Sequence, residues 1–331
     1  MKIAFVADPL DDFKIYKDST YAMMREAAAR MHELHVLQQT DIFWHKSVVT
    51  GDAQRLHLTG DKQAWYRVEV PRATPLKDFD AVLMRKDPPF DMEYVYSTYL
   101  LELAQAQGAR VYNDPRAIRD CNEKIAIARF PQFTVPSLVT RRIGLIHEFL
   151  AAHGDIILKP LDGMGGTSVF RVRDKDPNLN VIVETITQYG RRMVMAQRFI
   201  PEIADGDKRI LLIGGRPAPY ALARIPKPGE TRGNLAAGGT GVARELTKRD
   251  REIAATLGPQ LNAQGLLLVG LDVIGDYLTE VNVTSPTCFQ EITGQTGFNV
   301  AGMMLDALER AGGGWEYFPG DRSYTQCRRK H

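Results

Sequence analysis

Residues 156–172 read IILKPLDGMGGTSVFRV. The stretch predicts a β-strand ending in Lys159, a glycine-rich loop and a second strand. Gly163, Gly165 and Gly166 let the backbone approach a ligand closely and take positive φ without steric cost. Successive N–H groups in such a loop form a concavity for anions, and Lys159 adds a point charge suited to phosphate. No Gly-Lys-Ser/Thr follows the glycines, so this is not a Walker A loop. It also lacks the final glycine and the following helix of a Rossmann fingerprint. An ordinary glycine-rich turn is one reading; a hairpin lying over a nucleotide's phosphates is the better physical one.

The 331 residues suffice for two or three domains and a large core. At 44% hydrophobic and 25% charged, the composition is globular rather than disordered. The 42 basic and 40 acidic residues nearly cancel, which gives no electrostatic case for nucleic acid or an anionic membrane. No apolar run approaches the roughly 20 residues of a membrane helix. MKIAFVADPLDD reads as a short strand ended by acids, not as a signal peptide. Cys121, Cys288 and Cys327 lie far apart with no CxxC pair, so neither zinc nor a disulfide framework is indicated and a reducing cytoplasm is expected.

Before the hairpin, strand and helix alternate. Residues 2–8, 32–38, 81–87 and 110–114 read as strands, whose unbroken apolar character predicts a parallel sheet covered by helices. Ser19 or Thr20 is a candidate cap for a helix through YAMMREAAARMHEL, and residues 94–107 form a second helix stopped by Gly108. Residues 39–66 show no clean period and are read as irregular or edge structure. Asp114-Pro115 starts a helix through RAIRDCNEKIAIARF, with Lys124 in its middle. Helix, strand, the glycine hairpin, a helix over 179–189 and the strand MVMAQRFI then make a small α+β module.

Beyond Asp207, KRILLI, Gly214-Gly215 and PYALARI predict a hairpin. Residues 225–241, IPKPGETRGNLAAGGTG, form a long loop of the kind that serves as an active-site lid. Thr247 with Asp250 is a capping box for the next helix. Two strands and a helix ending at Gly312 complete the chain before a polar tail.

The second chemical signal is GLDVIGDYLTEVNVTSPT at 270–287. Glu280 and Asn282 share one face of a strand. A three-residue loop over 275–277 sets Asp272 opposite Glu280, whereas a two-residue turn sends Asp272 to the other face, so register decides. With the longer loop, two carboxylates and an amide oxygen converge. A hard cation such as Mg²⁺ relieves their repulsion, since it favours a few carboxylates completed by water and phosphate oxygens. Lys124, Lys159, Arg209 and Arg224 add cations around loop and shelf, and Arg85 ends a strand at the carboxyl edge where parallel sheets place ligands. Cations on oxygens and a bridging metal are the inventory of phosphoryl transfer. No GxSxG, HExxH or Cys/His pair competes, and Cys288 has no histidine nearby, so it is not read as a nucleophile.

These blocks resemble the bacterial glutathione synthetases of the ATP-grasp superfamily. The resemblance runs from residue 1 to about 312. It rests on MRKDPPFD (84–91), RDCNEKIA (119–126), DIILKPLDGMGG (155–166), DGDKR (205–209), ARIPKPGETRGNLAAGG (223–239) and LTEVNVTSPTC (278–288). It implies an ATP-grasp fold of mixed α/β and α+β class. An N-terminal α/β substrate-binding domain spans 1–120, a lid subdomain with the glycine loop 121–199, and a catalytic subdomain 200–316, with a flexible tail at 317–331.

By the same resemblance, Lys124, Lys159, Gly163, Gly165 and Gly166 contact ATP phosphates. The strand from Gln197 through Phe199 to Ile200 holds adenine through its backbone, and Asp207 holds the ribose. Gln197 stands where many ATP-grasp proteins carry an acid. Asp272, Glu280 and Asn282 coordinate Mg²⁺ or Mn²⁺. Arg209 and Arg224 stabilise an acyl phosphate and substrate carboxylates. Arg85, Asn234, Ser285, Thr287 and Glu291 position the peptide substrate.

The implied reaction is ATP-dependent joining of γ-glutamylcysteine to glycine by a cytoplasmic homotetramer, with no nucleic-acid or membrane partner. Another ATP-grasp carboxylate–amine ligase, of dipeptide-ligase type, and a non-catalytic nucleotide-binding module are the competing readings.

Overall fold

Four of the five residues of Lys2–Val6 (β1) are fully buried, as a fully apolar strand in the middle of a covered sheet requires. The computed structural model describes residues 1–312 apart from 231, 234, 236 and 237. The tail expected at 317–331 lies outside the described residues. β1 is followed by α1 (Ser19–Ala29), β2 (Glu33–Leu37), β3 (Ile42–His45), β4 (Val48–Leu58), β5 (Tyr66–Val68), β6 (Arg72–Pro75), β7 (Ala81–Met84), α2 (Met92–Ala106), β8 (Val111–Tyr112) and α3 (Pro115–Asp120). The strands β2-β1-β7-β8 are parallel, as expected. Of the two readings of 39–66, irregular or edge structure, the second holds: β4 pairs β2, β3, β5 and β6 antiparallel and extends the sheet at its edge. Its burial alternates only in part, so no single period marks it.

Two local expectations are corrected. Asp18, not Ser19 or Thr20, caps α1 by accepting from Tyr21 N at 2.7 Å. Ser19 and Thr20 are buried, and their hydroxyls accept instead from Phe289 N and Arg85 Nε. The helix from Pro115 also ends early, at Asp120, so Lys124 is not mid-helix. The Asn122 side chain accepts from Lys124 N and Ile125 N, at 3.2 and 3.0 Å, and this local bond competes with the helical ladder. Only a short 3₁₀ turn follows, at Ile125–Arg129.

The second sheet contains β9 (Ser137–Thr140), α4 (Ile143–His153), β10 (Asp155–Pro160), β11 (Phe170–Arg173), α5 (Leu179–Thr187) and β12 (Val194–Arg198). It is antiparallel in the order β11-β10-β12-β9. Ile146 and Leu150 of α4 and Val183 and Ile186 of α5 close its small core over Ile156, Leu158 and Val194.

The third sheet uses β13 (Asp207–Ile213), β14 (Arg216–Pro217), β15 (Tyr220–Ile225), β16 (Thr240–Glu245), α6 (Lys248–Asn262), β17 (Leu268–Ile274), β18 (Tyr277–Asn282), α7 (Phe289–Thr296) and α8 (Val300–Gly312). Its order is β16-β15-β13-β17-β18. β16 takes Thr240 and Gly241 out of the long loop read at 225–241 and pairs them with Ile225 and Arg224. Met23, Met24 and Ala27 of α1 share a core with Met304, Leu305 and Leu308 of α8 and Leu211 of β13, which fixes the first sheet against the third.

The capping box at α6 forms as expected: Thr247 accepts from Asp250 N and Asp250 accepts from Thr247 N. Asp250 is fully buried and also accepts from Lys208 Nζ at 2.5 Å. Thr247→Ala should therefore cost about 1 kcal/mol, seen as a lower urea midpoint with unchanged denaturant slope. An unchanged midpoint would mean that the cap contributes nothing.

Candidate functional site

β10 and β11 form the hairpin expected around the glycine loop. Gly165 and Gly166 adopt φ of 63° and 80°, which a larger residue would occupy only under strain. Gly163 is required for space, because a Cβ there would come within 2.8 Å of Pro160 Cγ. Lys159, the last residue before Pro160, turns across to the third sheet. Its Nζ donates to Glu280 Oε1 and to Thr279 O, both at 3.2 Å. Lys124 Nζ donates to Gly163 O at 2.7 Å and lies 3.9 Å from Glu280 Oε1.

The decisive register is resolved in an unexpected way. The β17–β18 connection is the two-residue turn Gly275-Asp276, with Ile274 paired to Tyr277 and Val273 to Leu278. A shift between Asp272 and Val273 leaves Thr279 as an extra residue, and Asp272 then pairs with Glu280. The three-residue loop is thus corrected to a tight turn plus a bulge. Such a bulge re-aims side chains at a functional edge. Thr279 stabilises it by donating its hydroxyl to Asp272 O at 3.1 Å. Asn282 sits opposite Gly270, whose carbonyl accepts from Asn282 Nδ2.

Asp272 is the hub of the buried charge. Arg209 donates to both of its oxygens, at 2.5 and 3.1 Å, and Arg224 lies 2.9 Å from Oδ2. Arg224 also pairs with Asp207. Burial opposes charge on Asp272, but the two guanidinium groups outweigh it and hold the carboxyl below its ordinary range. At Asp207 burial wins over Arg224 and pushes the carboxyl up to about 7. Glu280 resembles Asp272: burial is outweighed by Lys124 and Lys159, and its carboxyl lies low. Burial pushes the Lys159 ammonium down, with Glu280 opposing.

Two clefts open around these groups. One, of about 850 Å³ including space open to solvent, lies between the second and third sheets. Lys124, Lys159, Gly163, Gly165, Gly166, Gln197, Phe199 and Ile200 all line it. The other, of about 1290 Å³, lies between the third sheet and the first and is lined by Arg209, Arg224, Asp272, Asn282, Ser285, Thr287 and Glu291. Gly163, Met164, Gly165 and Glu280 belong to both clefts, so the glycine loop and one carboxylate form the border.

Two expected site residues stand apart. Asp207 lines neither cleft and is engaged with Arg224. Arg85 is buried behind the wall of the larger cleft, donating to Thr20 Oγ1 at 3.1 Å and Pro286 O at 2.9 Å. Asn234 lies outside the described residues. Gln197 donates from Nε2 to Ser137 Oγ at 3.1 Å, which orients its amide. Cys288 is buried, its thiol pushed up by desolvation, and so it is protonated rather than nucleophilic. Sequence reading missed Lys17, Asp18, Asp87 and Glu123, which also line the larger cleft. Glu123 had one available signal, its place beside Lys124 in RDCNEKIA.

Comparison with known proteins bears on this pair of clefts. The family model of the prokaryotic glutathione synthetase N-terminal domain matches residues 1–119, and that of the prokaryotic glutathione synthetase ATP-grasp domain matches residues 123–297. The chain belongs to the prokaryotic glutathione synthetase family.

It is 66% identical over 314 residues to a protein named glutathione synthetase from Nitrosomonas europaea, covering 94% of this chain and 98% of that one. It is 64% identical over 313 residues to one of the same name from Ralstonia nicotianae, covering 95% and 97%. Among solved structures, a D-cycloserine synthetase shares the fold with a TM-score of 0.66 at 14% identity, over 94% of this chain and 99% of that one. The ATP-grasp fold implied by the sequence blocks is therefore the fold observed. ATP-grasp ligases use ATP and a divalent metal. Among the described residues no helix is long and apolar enough to cross a membrane.

Proposed function

We infer that this enzyme joins γ-glutamylcysteine to glycine, using ATP and releasing glutathione, ADP and phosphate. The observation that carries the reading is the shared border. A phosphate chain in the smaller cleft and a carboxylate in the larger one meet at Glu280 and the glycine loop. Lys124 and Lys159 supply charge on the nucleotide side, and Arg209 and Arg224 on the carboxylate side. Adenine suits the segment from Gln197 through Phe199 to Ile200, whose residues line the smaller cleft. Ser285, Thr287 and Glu291 in the wall of the larger cleft suit the peptide substrate.

Asp272, Glu280 and Asn282 fit a hard divalent cation, Mg²⁺ or Mn²⁺. All three line the larger cleft and present two carboxylates and an amide. Among the described residues no group of three or more His, Cys, Asp and Glu could hold a metal by itself. That deficit suits Mg²⁺, which keeps several waters and draws on substrate phosphates. Three of the four acceptor positions of Asp272 face arginines, which leaves one. When bound, the cation neutralises phosphate oxygens and the charge that develops on them.

The residues of the chain do the remainder. A carboxylate is unreactive toward amines, so the cysteinyl carboxylate oxygen first bonds to the γ-phosphorus while ADP leaves. Arg209 and Arg224 hold the resulting acyl phosphate. Glycine's amine then attacks the acyl carbon, loses a proton and expels phosphate. Water would destroy the intermediate, and the glycine loop, with Arg232 and Leu235 in the walls of the two clefts, covers it. Gly166→Val should lower turnover about 5–30-fold, because a β-branched side chain disfavours the positive φ by roughly 1–2 kcal/mol in the loop alone. Its melting temperature should stay near that of the parent. A large loss of stability with normal turnover of the folded fraction would contradict that role.

Association into a homotetramer belongs to the same proposal. Met92, Tyr96, Tyr99 and Leu103 are 48–57% exposed on one face of α2. Their 4-3-4 spacing is symmetric about the helix centre, so a second copy packed antiparallel sets Met92 on Leu103 and Tyr96 on Tyr99. Glu102 beside them is already neutralised by Arg119. A cytoplasmic site suits a reaction that consumes ATP and whose substrate and product carry a free thiol. The test of function is ADP release from purified protein with γ-glutamylcysteine and Mg²⁺. Release that depends on glycine is expected; turnover only with another amine would reject the assignment in favour of a different ligase.

A further inference from the structure

Glu123 has no part in the chemistry above, yet it makes an unusual set of bonds. Its Oε1 accepts from Val283 N at 2.9 Å, Thr284 N at 3.2 Å and Thr284 Oγ1 at 2.9 Å. Its backbone carbonyl accepts from Val281 N at 2.8 Å. β18 is the last strand of its sheet, so the outward N–H groups of Val281 in it and of Val283 just beyond it have no neighbouring strand among the described residues. Glu123 takes both. An edge strand left bare would carry unpaired donors and a loose register.

The residues on either side tie the same point to the glycine loop. Asn122 Nδ2 donates to Leu161 O at 3.2 Å, and Lys124 Nζ donates to Gly163 O at 2.7 Å. Three consecutive residues thus join the loop that follows β10 to the strand that carries Glu280 and Asn282. We propose that Glu123 is a positioning residue that sets the distance between the glycine loop and the carboxylate strand, and thereby builds the metal site. The inference rests on the metal reading of Asp272, Glu280 and Asn282.

The clamp depends on where one oxygen sits. Glu123→Asp keeps the charge but withdraws the oxygen by one methylene; Glu123→Gln loses the charge but keeps an oxygen in place. Two measurements separate them. Amide hydrogen exchange at Val283 and Thr284, on protein free of nucleotide and metal, reads the clamp itself. Paramagnetic resonance of Mn²⁺ in the presence of ADP reads metal affinity.

Glu123→Asp should speed exchange at both amides and weaken Mn²⁺ binding about 10–100-fold, the usual effect of removing an outer-sphere partner. Glu123→Gln should restore both to within about threefold of the parent, since the lost charge changes each bond only modestly. Unchanged exchange in Glu123→Asp, a Gln variant as damaged as the Asp variant, or faster exchange with unaltered Mn²⁺ affinity would each overturn the proposal. Should Glu123→Asp fail to fold, Thr284→Val removes a single bond of the clamp. A severalfold weaker Mn²⁺ affinity then supports the proposal and an unchanged one refutes it. Failure of the parent protein to bind Mn²⁺ would count against the metal reading, while the exchange rates still test the clamp.

Discussion

Glu280→Gln should lower turnover by about 10²–10³-fold, the scale on which a preorganised charge acts at a reacting phosphoryl group, with little loss of stability. Glu280 is the one carboxylate on the border of both clefts, and it faces Lys159 at 3.2 Å and Lys124 at 3.9 Å. Replacing it removes an oxygen of the proposed metal site and the counter-charge that keeps two buried ammonium groups in register. The fold tolerates the change, because Lys159 still donates to Thr279 O and Lys124 to Gly163 O. The side chain also retains 23% exposure, so water can replace part of what is lost. Steady-state ADP release together with thermal unfolding decides the matter. Turnover within a few-fold of the parent would remove Glu280 from the reaction.

Asp272→Asn should act on stability as strongly as on rate. Asp272 is 4% exposed and binds two guanidinium groups that are themselves 7% and 4% exposed. Breaking a buried ion pair by removing one partner leaves charge uncompensated and costs about 3–5 kcal/mol. That is a large share of the roughly 5–15 kcal/mol by which domains are stable. Arg224 keeps Asp207, whereas Arg209 loses its only ion-paired carboxylate among the described residues. Urea unfolding should therefore show a much lower midpoint for Asp272→Asn than for Glu280→Gln. Equal midpoints would mean that the Asp272 cluster is not the stabilising hub its geometry indicates.

The low position of Asp272 adds a pH dependence with a definite sign. Its carboxyl lies below the usual value in the folded chain, so the stability it contributes is present above the unfolded value and is lost as pH falls toward the folded one. The acid limb of the stability curve should shrink in Asp272→Asn, and an unchanged limb would assign that limb to other carboxylates.

Much of this was legible in the residues. The apolar run of β1, the Asp114-Pro115 start, the Thr247 capping box and the glycine hairpin are local signals, and each forms where its chemistry indicates. The failures have two causes, contacts distant in sequence and a local side-chain bond that competes with the backbone. Ser19 and Thr20 are good caps, but both hydroxyls are used by Phe289 and Arg85 and the cap passes to Asp18. Asn122 breaks a helix whose apolar period continues past it.

At the shelf, a tight turn and a bulge together give the Asp272–Glu280 pairing that a three-residue loop would also give. Spacing alone could not separate these cases. The cluster of Arg209 and Arg224 on Asp272 depends on three neighbouring strands in register, which no single stretch of sequence displays. Glu123 was hidden for the same reason: its partners lie about 160 residues away.

The proposed mechanism has a carboxylate in the larger cleft receive the phosphoryl group at the border carrying Glu280. It is tested by γ-glutamylcysteine labelled with ¹⁸O in both oxygens of the cysteinyl carboxylate, turned over with ATP and glycine. One labelled oxygen should appear in the released phosphate and the other should remain in the new amide of glutathione. Phosphate without label, formed at the same rate as glutathione, would rule out an acyl phosphate.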